Sequence, residues 1–455
     1  MQTNNIFNRR YEIHLLLVLG NPAIVSSLTH SPKTSLSRCP AGSFGWTPLI
    51  STAGLFFLIG FVTWLNGPLI SFVRVAFSLS DVGAFLVPLA FYIAYLLFAL
   101  PAARIASRTG LKSGLALALA IMGAGSALFG QCVVLRSYPG ALGGLMVIGA
   151  GLTLLQVTVN PYVSLLGPHD RAAQRIAIMG LCNKFAGILA PIVLAAMVMH
   201  NISGVAEQAQ QTTSVAEREA ILSSFTNAIY WPYLGMAALL GVAACAVFLS
   251  NLPDIDPPET LALSSPGFRI TPRLGFGMLA TFLYVGIEVL AGDAIGTYGQ
   301  AFGMPLDQTR FFTAFTLFAM MTGYAAGLCL VPRVLSQERC MVLSCVGGIL
   351  FAVAAYLTTG YVSVLCVALL GLANAMIMPA LFPMAIRNAG RHVPLVSALL
   401  VMMFSGGACT PQIFVLIKPY IGVQAAFLML AVPAYLVLLG YGVWFSIVSG
   451  TRKTV

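Results

Sequence analysis

The chain has 455 residues, 59% of them hydrophobic and only 8% charged, against roughly 25% charged residues in an ordinary soluble domain. Even a large water-soluble domain buries only about 75% of its chain surface, so a mean hydropathy of +0.92 excludes a soluble enzyme, a disordered chain and a nucleic-acid binder. The net charge of +10 does not reverse this, because the basic residues are dispersed among short loops.

Residues 1–46 form a polar tail whose apolar piece, Leu15 to Leu19, is too short to span a bilayer. No small-residue cleavage site follows it convincingly, so the tail reads as a cytoplasmic extension rather than a signal peptide. From residue 47 onward come twelve stretches of the ~20 apolar residues that a helix needs to cross a bilayer. They lie at 47–71, 82–103, 113–135, 139–165, 174–199, 230–250, 273–301, 310–332, 340–359, 361–386, 393–417 and 421–449. A membrane β-barrel would instead show alternating segments of about ten residues. The predicted fold class is therefore an all-α, multi-pass membrane protein. A hydrophilic break at 251–272 divides it into an N-terminal six-helix bundle, 47–250, and a C-terminal one, 273–450.

Lys and Arg set the orientation, since cytoplasmic loops are enriched in both. With the N-terminus inside, seventeen basic residues face the cytoplasm: Arg9, Arg10, Lys33, Arg38, Arg104, Arg108, Lys112, Arg171, Arg175, Arg269, Arg273, Arg333, Arg339, Arg387, Arg391, Arg452 and Lys453. Five face outward: Arg74, Arg136, Arg218, Arg310 and Lys418. This split predicts both termini in the cytoplasm.

Three ionisable residues remain at membrane depth, Lys184 in span five and Glu288 and Asp293 in span seven. An intramembrane charge costs several kcal/mol and marks a functional site by default; the bland alternative is a packing ion pair between Lys184 and one carboxylate. Together the three suggest ion coupling, in which an ammonium that approaches or leaves a carboxylate lets it load and release a proton. A Na⁺ site built on the carboxylates is the competing reading. Five residues on a regular helix separate Glu288 from Asp293 by about 140°, so the two share one small site only if the helix unwinds near Gly292.

No histidine sits at depth, which leaves no metal-ligating cluster and no Ser–His dyad, and the nine scattered cysteines read as packing residues. Asp293 alone cannot supply the two aspartates of an intramembrane protease. No enzyme, catalytic residue, metal or resident cofactor is predicted.

The two halves look related. Gly187 and Pro191 of span five recur as Gly407 and Pro411 of span eleven, Pro161 of span four recurs as Pro379 of span ten, and Gly60 of span one aligns with Gly286 of span seven, placing Gly67 opposite Asp293. Two such repeats about an axis along the membrane normal match the architecture of major-facilitator transporters. Proline and glycine in spans one, four, five, ten and eleven are expected to let those helices bend.

The uncharged polar residues within the spans are few: Thr63, Trp64 and Asn66, then Gln156 and Asn160 on one helix face, Asn183 beside Lys184, Tyr284 and Tyr298 around the span-seven carboxylates, and Asn374. Amides that donate and accept, near flat aromatic rings, suit a polyhydroxylated solute such as a sugar. Trp64, Asn66, Gln156, Asn160, Asn183, Tyr284 and Asn374 are the candidate substrate ligands. Interhelical hydrogen bonding is the alternative use of each amide.

The run GLTLLQVTVNPYVSLLGP (151–168), with GFVTWLNGPL (60–69) and GLANAMIMPALFPMAI (371–386), resembles the fucose/glucose–galactose permease family of the major facilitator superfamily across essentially all of 47–447. The resemblance implies a bacterial inner-membrane sugar:cation symporter, usually proton-coupled. Fucose permeases carry a carboxylate directly after the LN pair of span one, where this chain has Gly67, and a Glu where it has Gln156, as the glucose–galactose branch does. The segments WLNGPL, IMGLCNKFAG (178–187) and EVLAGDAIGT (288–297) look more like the N-acetylglucosamine permease branch. The 2–3 loop, with Arg104, Arg108, Gly110 and Lys112, resembles the superfamily's loop motif but has Ser107 in place of an Asp. The resulting expectation is a monomeric importer of a hexose or amino sugar, co-transporting H⁺ through Asp293 with Lys184 as its electrostatic partner. An uncoupled facilitator or a Na⁺-coupled transporter of another small polar solute is the alternative.

Overall fold

The computed structural model describes residues 46–165, 172–199, 202–250, 268–331, 334–387, 389 and 392–451. Nearly all of the 1–46 tail, most of the 251–272 loop, and His169, His200, Arg171, Arg333, Arg391, Arg452 and Lys453 lie outside the described residues. Among the described residues every regular element is helical, and twelve helices are long and apolar enough to cross a membrane. Spans one to twelve are Leu49–Ala76, Asp81–Thr109, Leu111–Val134, Tyr138–Asn160, Ile178–Met197, Val215–Leu249, Pro272–Asp293, Leu306–Leu330, Gln337–Leu357, Gly360–Ile386, Val393–Ile421 and Val423–Ile447.

Helix starts follow capping chemistry. Ser80, Thr271 and Ser336 each accept a hydrogen bond from a backbone N–H three residues on, at 3.2, 3.2 and 3.3 Å, ahead of spans two, seven and nine, and Pro272 at the first position of span seven gives up no intrahelical donor. Much of the hydrophilic stretch 200–229 also folds: Ile202–Gln211 and Val215–Asn227 are helices, the second capped by Ser214 and followed after a short turn by Tyr230–Leu249, the apolar part of span six.

Several spans are interrupted. Span one breaks between Trp64 and Asn66, span two between Ala84 and Leu86, and span ten between Asn374 and Ile377. In each case a proline follows closely, Pro68, Pro88 or Pro379. A proline ring clashes with the carbonyl four residues back and offers no N–H to it, which puts the faults at Trp64, Ala84 and Ala375. Span seven is continuous through Asp293 and breaks at Ala294, between two glycines, and span eleven passes through a 3₁₀ turn at Met403–Ser405. Spans four and five stay helical through Pro161 and Pro191.

The repeat-related glycines do the same work in both halves. A Cβ at Gly60 would overlap the Asn183 carbonyl of span five, and one at Gly286 would overlap Thr410 of span eleven. Span one thus packs backbone-close on span five as span seven does on span eleven, the close approach that drives helix association without a hydrophobic effect. Leu239, Val242 and Phe248 of span six, and Leu350 and Leu357 of span nine, remain outside the packed core, as suits a surface wetted by lipid.

Candidate functional site

The faults in spans one, seven and ten deliver polar side chains to the buried interior. Trp64 ends the first segment of span one and Asn66 begins the second; Asp293 is the last residue of the long span-seven helix; Asn374 is the last before the span-ten fault. All four are nearly inaccessible, at 3%, 1%, 2% and 0% exposure.

Lys184 and Glu288 form an ion pair, Nζ to Oε1 2.8 Å, and the ammonium also lies 4.4 Å from the centroid of the Trp64 ring. The indole is held on both sides. A Cβ at Gly292 of span seven would come 2.5 Å from Trp64 Cζ3, and one at Gly187 of span five 2.5 Å from its Cδ1. Leu317, Met320, Tyr324 and Ala375 complete this cluster. Trp64 is therefore a wedge joining spans one, five, seven, eight and ten.

Asp293 does not join the ion pair. The helix is regular up to it and does not unwind at Gly292, so Glu288 and Asp293 point to different sides, as their spacing requires. Asp293 instead faces Gly67 of span one: a Cβ there would stand 3.2 Å from Oδ1 and overlap Thr313 Oγ1. The Gly67 backbone N–H approaches the carboxylate, but neither oxygen makes a well-formed hydrogen bond. Thr313 and Thr316 of span eight turn their hydroxyls to the Gly292 and Ala291 carbonyls, at 2.8 and 3.1 Å, tying down the end of the span-seven helix without serving Asp293.

The predicted amides divide by use. Asn374 accepts from the Tyr435 hydroxyl at 2.7 Å through Oδ1, while its Nδ2 is unmatched. The Asn66 side chain approaches the Tyr92 hydroxyl, with no well-formed bond at Nδ2, and Trp64 Nε1 and Thr63 Oγ1 are unmatched. Gln156 reaches the Tyr95 hydroxyl at 3.5 Å, and Tyr95 stacks on Tyr92 at 6.0 Å and meets Phe404 of span eleven at 5.5 Å. Asn160 is half-buried. Asn183 donates to the Phe56 carbonyl at 3.3 Å, a bond between spans one and five at the Gly60 crossing. Tyr284 donates to the Asn374 carbonyl at 3.2 Å. Tyr298 is 2.7 Å from Ser363 Oγ and within 3.3 Å of the Ala355 carbonyl, so its hydroxyl serves packing and not the carboxylates.

Sequence reasoning missed Tyr92, Tyr95, Thr313, Tyr324 and Tyr435. The available signal was a phenol or hydroxyl within a long apolar run. What it could not show is that Tyr435 of span twelve would orient an amide of span ten.

The electrostatic sum of the site is one ammonium against two carboxylates. Lys184 neutralises Glu288, and Asp293 is left facing glycine. Buried polar atoms without partners cost about 1–3 kcal/mol each. Six such atoms, from Thr63, Trp64, Asn66, Asp293 and Asn374, lie at or beside the faults of spans one, seven and ten.

The chain is 28% identical over 386 residues to a glucose/galactose transporter of Brucella abortus, covering 84% of this chain and 90% of that protein. It is 24% identical over 374 residues to the L-fucose-proton symporter of Escherichia coli, covering 80% and 85%. Its fold matches the crystal structure of the transporter FucP in the outward conformation with a TM-score of 0.71, at 22% identity, over 88% of this chain and 98% of FucP. The family model of the Major Facilitator Superfamily matches residues 52–411, and the chain belongs to that superfamily.

Proposed function

We propose that this protein imports a hexose or amino sugar across a bacterial inner membrane by alternating access, in symport with protons, as a monomer with both termini in the cytoplasm. The observation that carries the reading is the set of unmatched buried polar atoms at the span faults: Thr63 Oγ1, Trp64 Nε1, Asn66 Nδ2, Asn374 Nδ2 and both oxygens of Asp293. Several donors beside a carboxylate acceptor, with tyrosine rings close by, suit a ring of hydroxyls. The names of the relatives, glucose/galactose transporters and an L-fucose-proton symporter, support the same solute class.

Proton coupling rests on the charge sum. Asp293 is the carboxylate that Lys184 does not neutralise, and a proton taken up there removes the excess charge before the site changes sides. Gly67 supports the assignment, because the span-seven carboxylate fills the space a span-one side chain would occupy. The function of a carboxylate directly after the LN pair is thus supplied across the repeat.

Reconstituted protein tests this with glucose, galactose, fucose and N-acetylglucosamine, under an imposed proton gradient or a Na⁺ gradient. At least one sugar should accumulate with the proton gradient alone. Asp293→Asn should abolish accumulation while sugar exchange without a gradient persists. Accumulation that follows Na⁺, or wild-type protein that only equilibrates every sugar, would remove the proton reading. Asp293→Asn with normal accumulation would move the coupling elsewhere.

A further inference from the structure

The inside enrichment in Lys and Arg makes each outward-facing basic residue an exception, and the structure finds a partner for all five. Arg136 pairs with Glu219 at 3.0 Å, and Arg218 donates to Ser78 Oγ at 3.1 Å. Both bonds stay within the first six spans, tying the loop helix Val215–Asn227 to the ends of spans three and one. The other three reach from one half of the chain to the other. Lys418 of span eleven pairs with Asp81 of span two. Arg74 at the end of span one holds the second oxygen of Asp81 at 3.2 Å and donates to Gln300 Oε1, beyond span seven, at 2.5 Å. Arg310 of span eight donates to the Met199 carbonyl at the end of span five.

Asp81 is the hub. Its two oxygens are divided between a cation of its own half and a cation of the other, and it stands at the capped start of span two, next to the Pro88 fault. Gln300 is oriented in turn by donating to Thr309 Oγ1 at 3.3 Å, and Gln412 of span eleven donates to the Val82 carbonyl at 3.4 Å. Beneath these bonds Ser71 of span one, 4% exposed, faces Gly296 of span seven.

We propose that Asp81, Arg74 and Lys418, with Gln300 and the Arg310–Met199 bond, form a charged latch that closes the outer mouth of the protein, and that a solute from outside passes only when the Asp81–Lys418 pair has parted. The charged side chains of the latch keep between 14% and 38% of their surface exposed, so solvent partly screens bonds that bias the closed state and still break during a transport cycle. The separation of the two halves at that end is a two-state event that the latch biases. This goes beyond the sugar reading and does not depend on which solute or ion is carried.

The test places a near-isosteric reporter, Ser71→Cys, under the latch and measures its reaction with a membrane-impermeant thiol reagent, in intact cells and in inside-out vesicles. Protein without the reporter supplies the native-cysteine background. Asp81→Asn and Lys418→Gln should each raise labelling from outside about fivefold, the worth of one rim ion pair, and the double variant should add little because both remove one bond. Glu219→Gln, which breaks an ion pair within the first half, should leave the rate unchanged. Two latch variants guard against a folding failure of either. Unchanged labelling in both, an equal rise with Glu219→Gln, or a rise seen only in inside-out vesicles would overturn the proposal. None of these readouts involves a sugar or a gradient, so a wrong solute assignment leaves them intact.

Discussion

Removing Lys184 and Glu288 singly and together separates a buried ion pair from a dispensable contact. The side chains are 8% and 13% exposed, and Nζ lies 2.8 Å from Oε1. Deleting one partner of a pair this dry strands the other charge and costs about 3–5 kcal/mol, whereas replacing both by apolar groups of similar volume is close to neutral or favourable. Lys184→Met belongs at the upper end of that range, because it leaves two carboxylates with no ammonium and also removes the cation 4.4 Å from the Trp64 ring, a contact worth about 0.5–2 kcal/mol. Glu288→Met belongs at the lower end, since the ammonium keeps the indole. The double variant Lys184→Met/Glu288→Met should recover to within ~1 kcal/mol of wild type, so that singles of about 5 and about 3 kcal/mol imply a coupling of about 7 kcal/mol. Unfolding in mixed micelles by graded addition of sodium dodecyl sulfate, followed by circular dichroism, reads all four species. Single variants within ~1 kcal/mol of wild type whose effects simply add in the double would refute the reasoning, because a solvated pair behaves that way.

Two further outcomes follow from the packing. Gly292→Ala should destabilise by about 1–3 kcal/mol through overpacking, because its Cβ meets a Trp64 ring that Gly187 and Leu317 prevent from retreating; Trp64→Phe in that background should restore part of the loss, and Gly235→Ala, with open space around it, should be neutral in the same unfolding assay. Tyr435→Phe should lower stability by ~1 kcal/mol and raise the sugar KM with little change in kcat, since it frees the Asn374 amide to turn; equal KM values for variant and wild type would remove Asn374 from the binding site.

Much of the fold was legible before any coordinates. Twelve apolar runs of bilayer length can only be helices, because backbone groups in lipid must be satisfied within their own segment. The proline faults were legible in part: bends are expected in spans one, four, five, ten and eleven, and Pro68 and Pro379 do act on a carbonyl four residues back, whereas the Pro88 fault of span two is not among those expected and spans four and five stay helical. The polar composition of the site, its excess carboxylate and the outlying basic residues were likewise written in the chain.

Which partner each of these meets was not. The sequence reading makes Lys184 the electrostatic partner of Asp293, yet it is Glu288 that lies beside the ammonium of span five, while Asp293 lies beside a glycine of span one. Asn183 and Asn374 are both intramembrane amides; one is consumed at a helix crossing, while the other is anchored by a phenol from span twelve and keeps its N–H groups unmatched. Asp81 is an ordinary first-turn acid beside its Ser80 cap until span eleven brings Lys418 against it. Periodicity and capping act over a few residues of chain, so sequence carries them whole. Charge pairing depends on distances between segments hundreds of residues apart, and only the packing of the spans sets those.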